Sequence, residues 1–179
     1  VVARKNVQDA GLAGRITLAS MASDMWAIIF LIVPNKDVLK HFCQKKAMAP
    51  DKDAVYEKTI DLDITNLVPQ IAKPPKPDAV VDVASLGGRE IHSVFIGSCT
   101  NGTYEDILTV AKIMKGRKVK PGIVATLVPA TMKVWKRLLK EGHISTLIES
   151  GFVVSNPGCG GCASGQIGMT GEGQVHIST

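Results

Sequence analysis

Apolar runs and one-sided apolar segments alternate along the second half of the chain. The run over 91–96 predicts a buried strand, and the segment over 104–114 predicts a helix because its apolar residues recur on one helical face. The same alternation continues with a strand over 123–128, a helix from about 131 to 139, a helix over 144–149 and a strand over 151–155. Strands separated by helices imply right-handed crossovers. We therefore predict an α/β fold with three layers, α/β/α, around a mainly parallel sheet.

The first half of the chain carries less regular patterns. The stretch 14–21 is typical of a short strand leading into a helix, with Ser20 and Ser23 as candidate caps and Asp24 in the first turn. Residues 26–33 are strongly apolar and are consistent with either a buried helix or a buried strand. The other predicted elements are a helix over 36–45, a half-buried strand over 55–64, an extended proline-rich connector over 69–77 and a short strand or turn over 80–83.

The polar, turn-rich stretch 47–53 suggests a domain boundary. We predict that 1–53 is a partial segment of a preceding domain and that 54–179 forms a second domain. Because the chain has no initiator methionine and stops abruptly after 177–179, it is expected to be a piece of a longer protein.

Composition restricts the function classes. The chain has 179 residues, of which 45% are hydrophobic and only 4% aromatic, and its net charge is +5. Its lysines do not alternate with aromatic residues, which favours solvated surface over a nucleic-acid interface. No signal peptide is recognisable at the start, and the apolar run 25–33 is far shorter than the roughly 20 residues of a membrane helix. A cytoplasmic location is expected, where clustered cysteines more often bind metal or do redox work than form disulfides.

Three of the four cysteines follow predicted strands. Cys99 comes at the end of the strand over 91–96, and the pair Cys159 and Cys162 follows the strand over 151–155. Carboxyl ends of parallel strands meet at one edge of a sheet, so these sulfurs are expected to converge there. The flanking glycines allow the backbone to approach a bulky inorganic group. One interpretation is a [4Fe-4S] cluster held by three thiolates, with an open position on the fourth iron that acts as a Lewis acid.

Other interpretations of the cysteines stay open at this point. Cys159 and Cys162 could form a thioredoxin-like redox pair, or three cysteines could bind a structural zinc together with His143 or His176. Three unrelated buried cysteines are a further alternative. We interpret the fourth cysteine, Cys43, as a buried structural residue of the helix over 36–45.

The motifs around the cysteines resemble the aconitase superfamily of hydro-lyases. The resemblance is carried by the sequence Ile-Gly-Ser-Cys-Thr-Asn-Gly over 96–102, by Glu-Asp-Ile over 105–107 and by Pro-Gly-Cys-Gly-Gly-Cys over 157–162. It extends from about residue 56 to 179 and more loosely over 14–34. Within the superfamily the chain is most similar to large subunits of the 3-isopropylmalate dehydratase and homoaconitase branch.

This resemblance implies an iron-sulfur domain of the aconitase type over 54–179, after a partial segment of a preceding aconitase-type domain. It implies that Cys99, Cys159 and Cys162 ligate a [4Fe-4S] cluster, and it makes Asp24 a candidate catalytic residue. The implied reaction moves water on a hydroxy-di- or tricarboxylate such as 3-isopropylmalate, a step of leucine biosynthesis. The implied partner is a swivelling domain on a small subunit, and the chain alone is expected to be inactive. Aconitate or homoaconitate hydratase, or a non-catalytic cluster- or RNA-binding relative, are the alternatives.

The chain departs from the superfamily pattern at four positions. Ser20 stands where asparagine is usual, and Asp24 stands where glutamate is usual. Trp26 replaces a small glycine, and Thr103 replaces an arginine. In the superfamily, the asparagine and the glutamate at the first two of these positions help around the cluster and its substrate.

Overall fold

A computed structural model describes residue 7, residues 9–23 and residues 25–179 of the chain. The chain divides into two compact units, one made of Val1–Asp9 with Met21–Arg89 and the other of Ala10–Ser20 with Glu90–Thr179. The division into domains at 53 and 54 stays a prediction.

The described helices are α1 (Leu12–Ser20), α2 (Lys36–His41), α3 (Ser98–Asn101), α4 (Tyr104–Met114), α5 (Met132–Lys140) and α6 (His143–Glu149). The described strands are β1 (Gln70–Ala72), β2 (Val80–Asp82), β3 (Ser93–Gly97), β4 (Val124–Val128), β5 (Phe152–Val154) and β6 (His176–Ser178). Short 3₁₀ turns cover Val83–Leu86 and Gly160–Cys162. None of the described helices has the length and apolar character needed to cross a membrane.

The second unit is built on a four-stranded parallel sheet with the order β5-β4-β3-β6. Ser93 pairs with Val124 of β4 on one side and with His176 of β6 on the other. Helices follow β3 and β4, as crossover connections between parallel strands require. The predicted α/β fold with a mainly parallel sheet and flanking helices is confirmed, and the helix predicted over 104–114 has the bounds of α4.

The core of this unit lies between the sheet and helices α4 to α6. Its fully buried members include Ile107 of α4, Leu127 of β4, Leu138 of α5 and Leu147 of α6. Side chains alternate across a strand, so Phe95 of β3 lies on the opposite face, where it is buried by the loop that carries the second pair of cysteines. The sheet therefore packs against helices on one face and against that loop on the other.

The first unit contains little regular structure among its described residues. Strands β1 and β2 pair antiparallel, with Gln70 opposite Asp82, which confirms a strand over 80–83 and shows that the predicted connector begins with one. The half-buried strand predicted over 55–64 is wrong. That stretch is irregular and exposed on both alternating sets of side chains, as Val55 at 95% and Leu62 at 81% illustrate. Alternation alone does not form a strand where no neighbouring strand supplies hydrogen bonds.

The strand predicted at the start of 14–21 is also wrong. Helix α1 begins at Leu12, and the Arg15 amide donates to the Gly11 carbonyl at 3.1 Å. Ser20 ends this helix and caps no helix start. Alanine, leucine and arginine are strong helix formers, and their propensity explains the difference. Asp24, the candidate catalytic residue, lies outside the described residues.

Residues 26–33 form neither a buried helix nor a buried strand. Trp26 and Ile28 are almost fully exposed, at 97% and 104%. Helix α2 is shorter than the predicted 36–45, although Asn35 caps it by accepting a hydrogen bond from the Val38 amide at 3.0 Å. Cys43 lies beyond its end with a φ of 53°, and its side chain is exposed. The interpretation of Cys43 as a buried structural residue of a helix is therefore wrong.

Candidate cluster site at the carboxyl ends of the strands

Cys99 lies in a tight turn that leaves the end of β3. Gly97 has a φ of 123°, and a Cβ at this position would overlap the Val128 carbonyl of β4. Ser98 then adopts a φ of 67°, a left-handed conformation that is uncommon outside glycine. Strained backbone of this kind is concentrated at functional sites. Helix α3 follows at once, so the strand ends in a one-turn helix that carries Cys99.

Gly102 fixes this turn against the neighbouring strand. A Cβ on Gly102 would come within 2.5 Å of both the Ser98 and the Val128 carbonyl oxygens. The Ala130 amide donates to the Gly102 carbonyl at 2.8 Å, and the Gly102 amide donates to Ser98 at 3.0 Å. Only glycine allows this approach of two backbones. The Cys99 turn is thereby held at the carboxyl end of β4.

Two further contacts hold the ends of the Cys99 turn. The Thr17 hydroxyl of α1 donates to the Asn101 side-chain oxygen at 3.0 Å. Thr103 is the N-cap of α4, and both its amide, at 3.0 Å, and its hydroxyl, at 2.6 Å, donate to the Asp106 carboxylate. Thr103, which stands where the resemblance implies arginine, thus has a capping role, and it is buried.

The second pair of cysteines lies in a glycine-rich loop folded onto Phe95. Cys159 precedes the 3₁₀ turn Gly160–Cys162. A Cβ on Gly160 would lie 2.6 Å from the Phe95 ring, and a Cβ on Gly168 would overlap the same ring. The Gln166 side-chain oxygen accepts a hydrogen bond from the Gly160 amide at 2.9 Å. Phe95 and Gln166 therefore shape this loop, and neither was predicted as a site residue, because each acts through a contact distant in sequence.

The two cysteine-bearing segments are neighbours. Helix α3 packs against the 3₁₀ turn Gly160–Cys162. Cys99, Cys159 and Cys162 are all free thiols with exposed side chains, so the interpretation as three unrelated buried cysteines is wrong. Beside them lies a pocket of about 260 Å³, lined by Val128, Ser155, Asn156, Pro157, Gly158, Gly160, Gln166 and Ile167.

The described residues give no support to a zinc site. Among them no group of three or more histidine, cysteine, aspartate or glutamate side chains is arranged to hold a metal ion. His176 pairs in register with Ser93, at the amino end of β3, and its Nδ1 lies 2.8 Å from the Ser93 hydroxyl oxygen. Burial lowers the pKa of His176. His143 lies 3.6 Å from the Glu141 carboxylate. Both histidines therefore have partners away from the thiols.

Thiolates are the ligands that iron-sulfur clusters take from proteins. A single ion requires all its ligands within bonding distance of one point, whereas a cluster takes each thiolate on a separate iron and so separates the sulfurs more widely. Three free thiols on two adjoining segments suit such a group.

Comparison with known proteins gives the family of the chain. The family model described as "Aconitase family (aconitate hydratase)" matches residues 82–179, more than half of the chain. That range includes all three site cysteines.

Individual relatives match over longer stretches. A 3-isopropylmalate dehydratase large subunit from Methanopyrus kandleri is 36% identical over 178 residues, which covers 97% of this chain and 43% of the relative. A homoaconitase large subunit from Thermus thermophilus is 36% identical over 165 residues, covering 92% of this chain and 40% of the relative. A 3-isopropylmalate dehydratase large subunit from Geotalea uraniireducens is 45% identical over 129 residues, covering 72% of this chain and 30% of the relative. The chain thus spans less than half the length of these relatives. With its match to the family model over residues 82–179, it belongs to the aconitase family.

Proposed function

We propose that this chain is the cluster-bearing part of a hydro-lyase that removes and re-adds water on a hydroxy-di- or tricarboxylate. The observation that carries the proposal is the packing of the Cys99 turn against the turn Gly160–Cys162, within the part of the chain that matches the aconitase family. In this proposal the thiolates of Cys99, Cys159 and Cys162 hold a [4Fe-4S] cluster. When bound, the cluster supplies an iron with an open position, which acts as a Lewis acid toward the substrate.

The chain's own residues have distinct tasks in this proposal. Gly97 and Gly102 hold the Cys99 thiol at the end of β4, and Phe95 and Gln166 hold the other two thiols in their loop. Ser155 and Asn156 line the neighbouring pocket and offer polar groups to a substrate carboxylate or hydroxyl. Asp24 is retained as a candidate acid–base residue on its sequence position alone.

The proposed substrate is 3-isopropylmalate, which would place the enzyme in leucine biosynthesis in the cytoplasm. This choice follows the names of several relatives. Homoaconitate is the second candidate, because the Thermus thermophilus relative is a homoaconitase with the same 36% identity as the Methanopyrus kandleri protein. These relatives are large subunits, so a small subunit is the proposed partner.

Selective loss of one iron tests the proposal. The chain is reconstituted anaerobically with iron and sulfide and then oxidised mildly. Because three irons would have cysteine ligands and the fourth would not, we expect a three-iron electron paramagnetic resonance signal that disappears when ferrous iron is added back. A cluster that resists oxidation, or that decays without a three-iron stage, would contradict the open iron position.

A titration of the reconstituted full-length large subunit, with its small subunit present, compares the candidate substrates. We expect 3-isopropylmalate to shift the Mössbauer spectrum of the one iron without a cysteine ligand, and homoaconitate to do so less. The reverse order would assign the chain to the homoaconitase branch.

A further inference from the structure

Four titratable side chains form a network outside the cysteine loops. The Tyr104 hydroxyl donates to Glu141 Oε2 at 2.6 Å, and Arg137 Nε donates to Glu141 Oε1 at 3.0 Å. The Arg137 guanidinium carbon lies 3.4 Å from the centre of the Tyr104 ring, and His143 Nε2 lies 3.6 Å from Glu141 Oε2. We call Tyr104, Arg137, Glu141 and His143 the Tyr104 latch.

The latch joins the start of α4 to the corner between α5 and α6. Tyr104 is the first residue of α4 and follows the Cys99 turn after only Gly102 and Thr103. Glu141 and His143 flank Gly142, whose φ of 80° makes the corner. The network thus connects the segment that carries Cys99 to a part of the unit whose Ile144 and Leu147 are buried in the core.

The charges in the latch favour the observed hydrogen bonds at neutral pH. The hydrogen bond from Tyr104, and next the one from Arg137, lowers the pKa of Glu141. The hydrogen bond to Glu141 raises the pKa of Tyr104, so the hydroxyl keeps its proton. The groups that face Glu141 are Tyr104 from α4, Arg137 from α5 and His143 from α6, and Glu105 interacts with Arg137 from α4. A network with a shared carboxylate couples these elements more firmly than an isolated surface ion pair does.

The Cys99 turn depends on such external contacts. Helix α3 has four residues, too few to be stable alone, and Ser98 enters it in a left-handed conformation. Thr17 and Ala130 hold it from two sides. The start of α4, immediately after it, is fixed to the rest of the unit through Tyr104.

We propose that the Tyr104 latch positions the Cys99 turn for cluster binding, which makes Tyr104 and Glu141 positioning residues of the proposed site. This inference rests on the proposed function, because the cluster is the group that the positioned turn would bind. The mechanical claim, that the latch restrains residues 98–107, can be measured without any cluster.

Hydrogen exchange of the apo chain tests that claim. In Tyr104→Phe the ring remains under Arg137 but the hydroxyl bond to Glu141 is lost. We expect amides in peptides covering 98–107 to exchange about three to ten times faster, as loss of one solvent-exposed hydrogen bond predicts, while peptides covering 124–128 are unchanged. Glu141→Gln should act in the same direction.

Lys118→Met is the matched control. Lys118 donates to the Glu149 carbonyl and ties the loop after α4 to the end of α6, far along the chain from Cys99. This variant should leave exchange in 98–107 unchanged. Equal acceleration throughout the second unit in Tyr104→Phe, or none in 98–107, would overturn the inference. Iron uptake by the unaltered chain, measured separately, tests the proposed function, so the failure of one is distinguishable from the failure of the other.

Discussion

At the scale of single residues, the places of the three cysteines after strands could be predicted from the sequence, and the contacts that support their loops could not. The spacing of Cys99, Cys159 and Cys162 and their places after strands predict a shared edge of the sheet. The roles of Phe95 and Gln166 depend on contacts with Gly160 and Gly168, which only the folded chain brings together. No short-range pattern marks a phenylalanine whose task is to support a loop more than sixty residues away.

Gly102 gives a sharp prediction at this scale. Gly102→Ala would force a Cβ against two carbonyl oxygens, so we expect a loss of about 3 kcal/mol in the free energy of unfolding. Gly11→Ala is the control, since a Cβ at Gly11 has no neighbour within 4 Å. It should change stability by less than about 0.5 kcal/mol. Urea denaturation of both variants measures the difference, and equal midpoints would contradict the packing described for the Cys99 turn.

Trp26 gives a second prediction. Its φ of 57° is a conformation that glycine adopts freely, and its side chain is 97% exposed, so little packing is lost on removal. Trp26→Gly should therefore raise the free energy of unfolding by about 1 kcal/mol. Trp26→Ala removes the same ring but keeps a Cβ, and it should give no such gain. Thermal unfolding compares the two, and a destabilised glycine variant would show that the tryptophan side chain makes contacts of its own.

At the scale of elements, the predicted helices and strands formed where another element of the fold packs against them. Helix α4 and strands β3 to β5 were predicted within a few residues, because their apolar faces meet a common core. The stretches 26–33 and 55–64 carry apolar patterns of similar strength, yet most of their side chains are exposed and they form no helix or extended strand. Hydrophobic periodicity reports what a segment can bury, and a strand or helix results only where another element accepts it.

Substitution of Phe95 and of Phe152 tests the two faces of the sheet separately. Phe95→Ala would remove the ring on which Gly160 and Gly168 rest, and Phe152→Ala would remove a ring from the helix-side core. Both should destabilise the chain by about 3–5 kcal/mol. Only Phe95→Ala should also lower cluster occupancy. Occupancy is measured as iron per chain, without denaturant and at a temperature at which both variants are folded. Equal occupancy in the two variants would contradict the role of Phe95 in holding the cysteine loop.

The burial of His176 in β6 leads to a prediction about how the stability of the chain depends on pH. Burial lowers the pKa of His176 below its ordinary value of 6.5, so the unfolded chain takes up this proton more readily than the folded one. The contribution of His176 to the free energy of unfolding is therefore constant above about pH 6.5. Below that pH it lowers the free energy of unfolding, because the unfolded chain binds the proton more tightly. Urea midpoints at pH 7.5 and 5.5 should therefore differ more in the unaltered chain than in His176→Gln. Identical differences would show that His176 does not titrate on unfolding.

At the scale of the whole molecule, the two units have different characters. The second unit has a buried core and carries all three candidate ligands, whereas the first exposes large apolar side chains such as Trp26, Ile28 and Val55. The chain spans 43% of the Methanopyrus kandleri relative. The sequence could indicate candidate cluster ligands, because their spacing is read from short motifs. It could not indicate how the substrate is recognised, because a substrate site is assembled from several parts of a protein.

Metal analysis of cysteine variants tests the central claim most directly. The unaltered chain and four single Cys→Ser variants are reconstituted anaerobically, and their iron and acid-labile sulfide are measured. We predict about four irons and four sulfides in the unaltered chain and in Cys43→Ser, and a large loss of both in Cys99→Ser, Cys159→Ser and Cys162→Ser. Full iron and sulfide content in Cys99→Ser would contradict the account, because it would show that the two cysteine-bearing segments do not share one cluster.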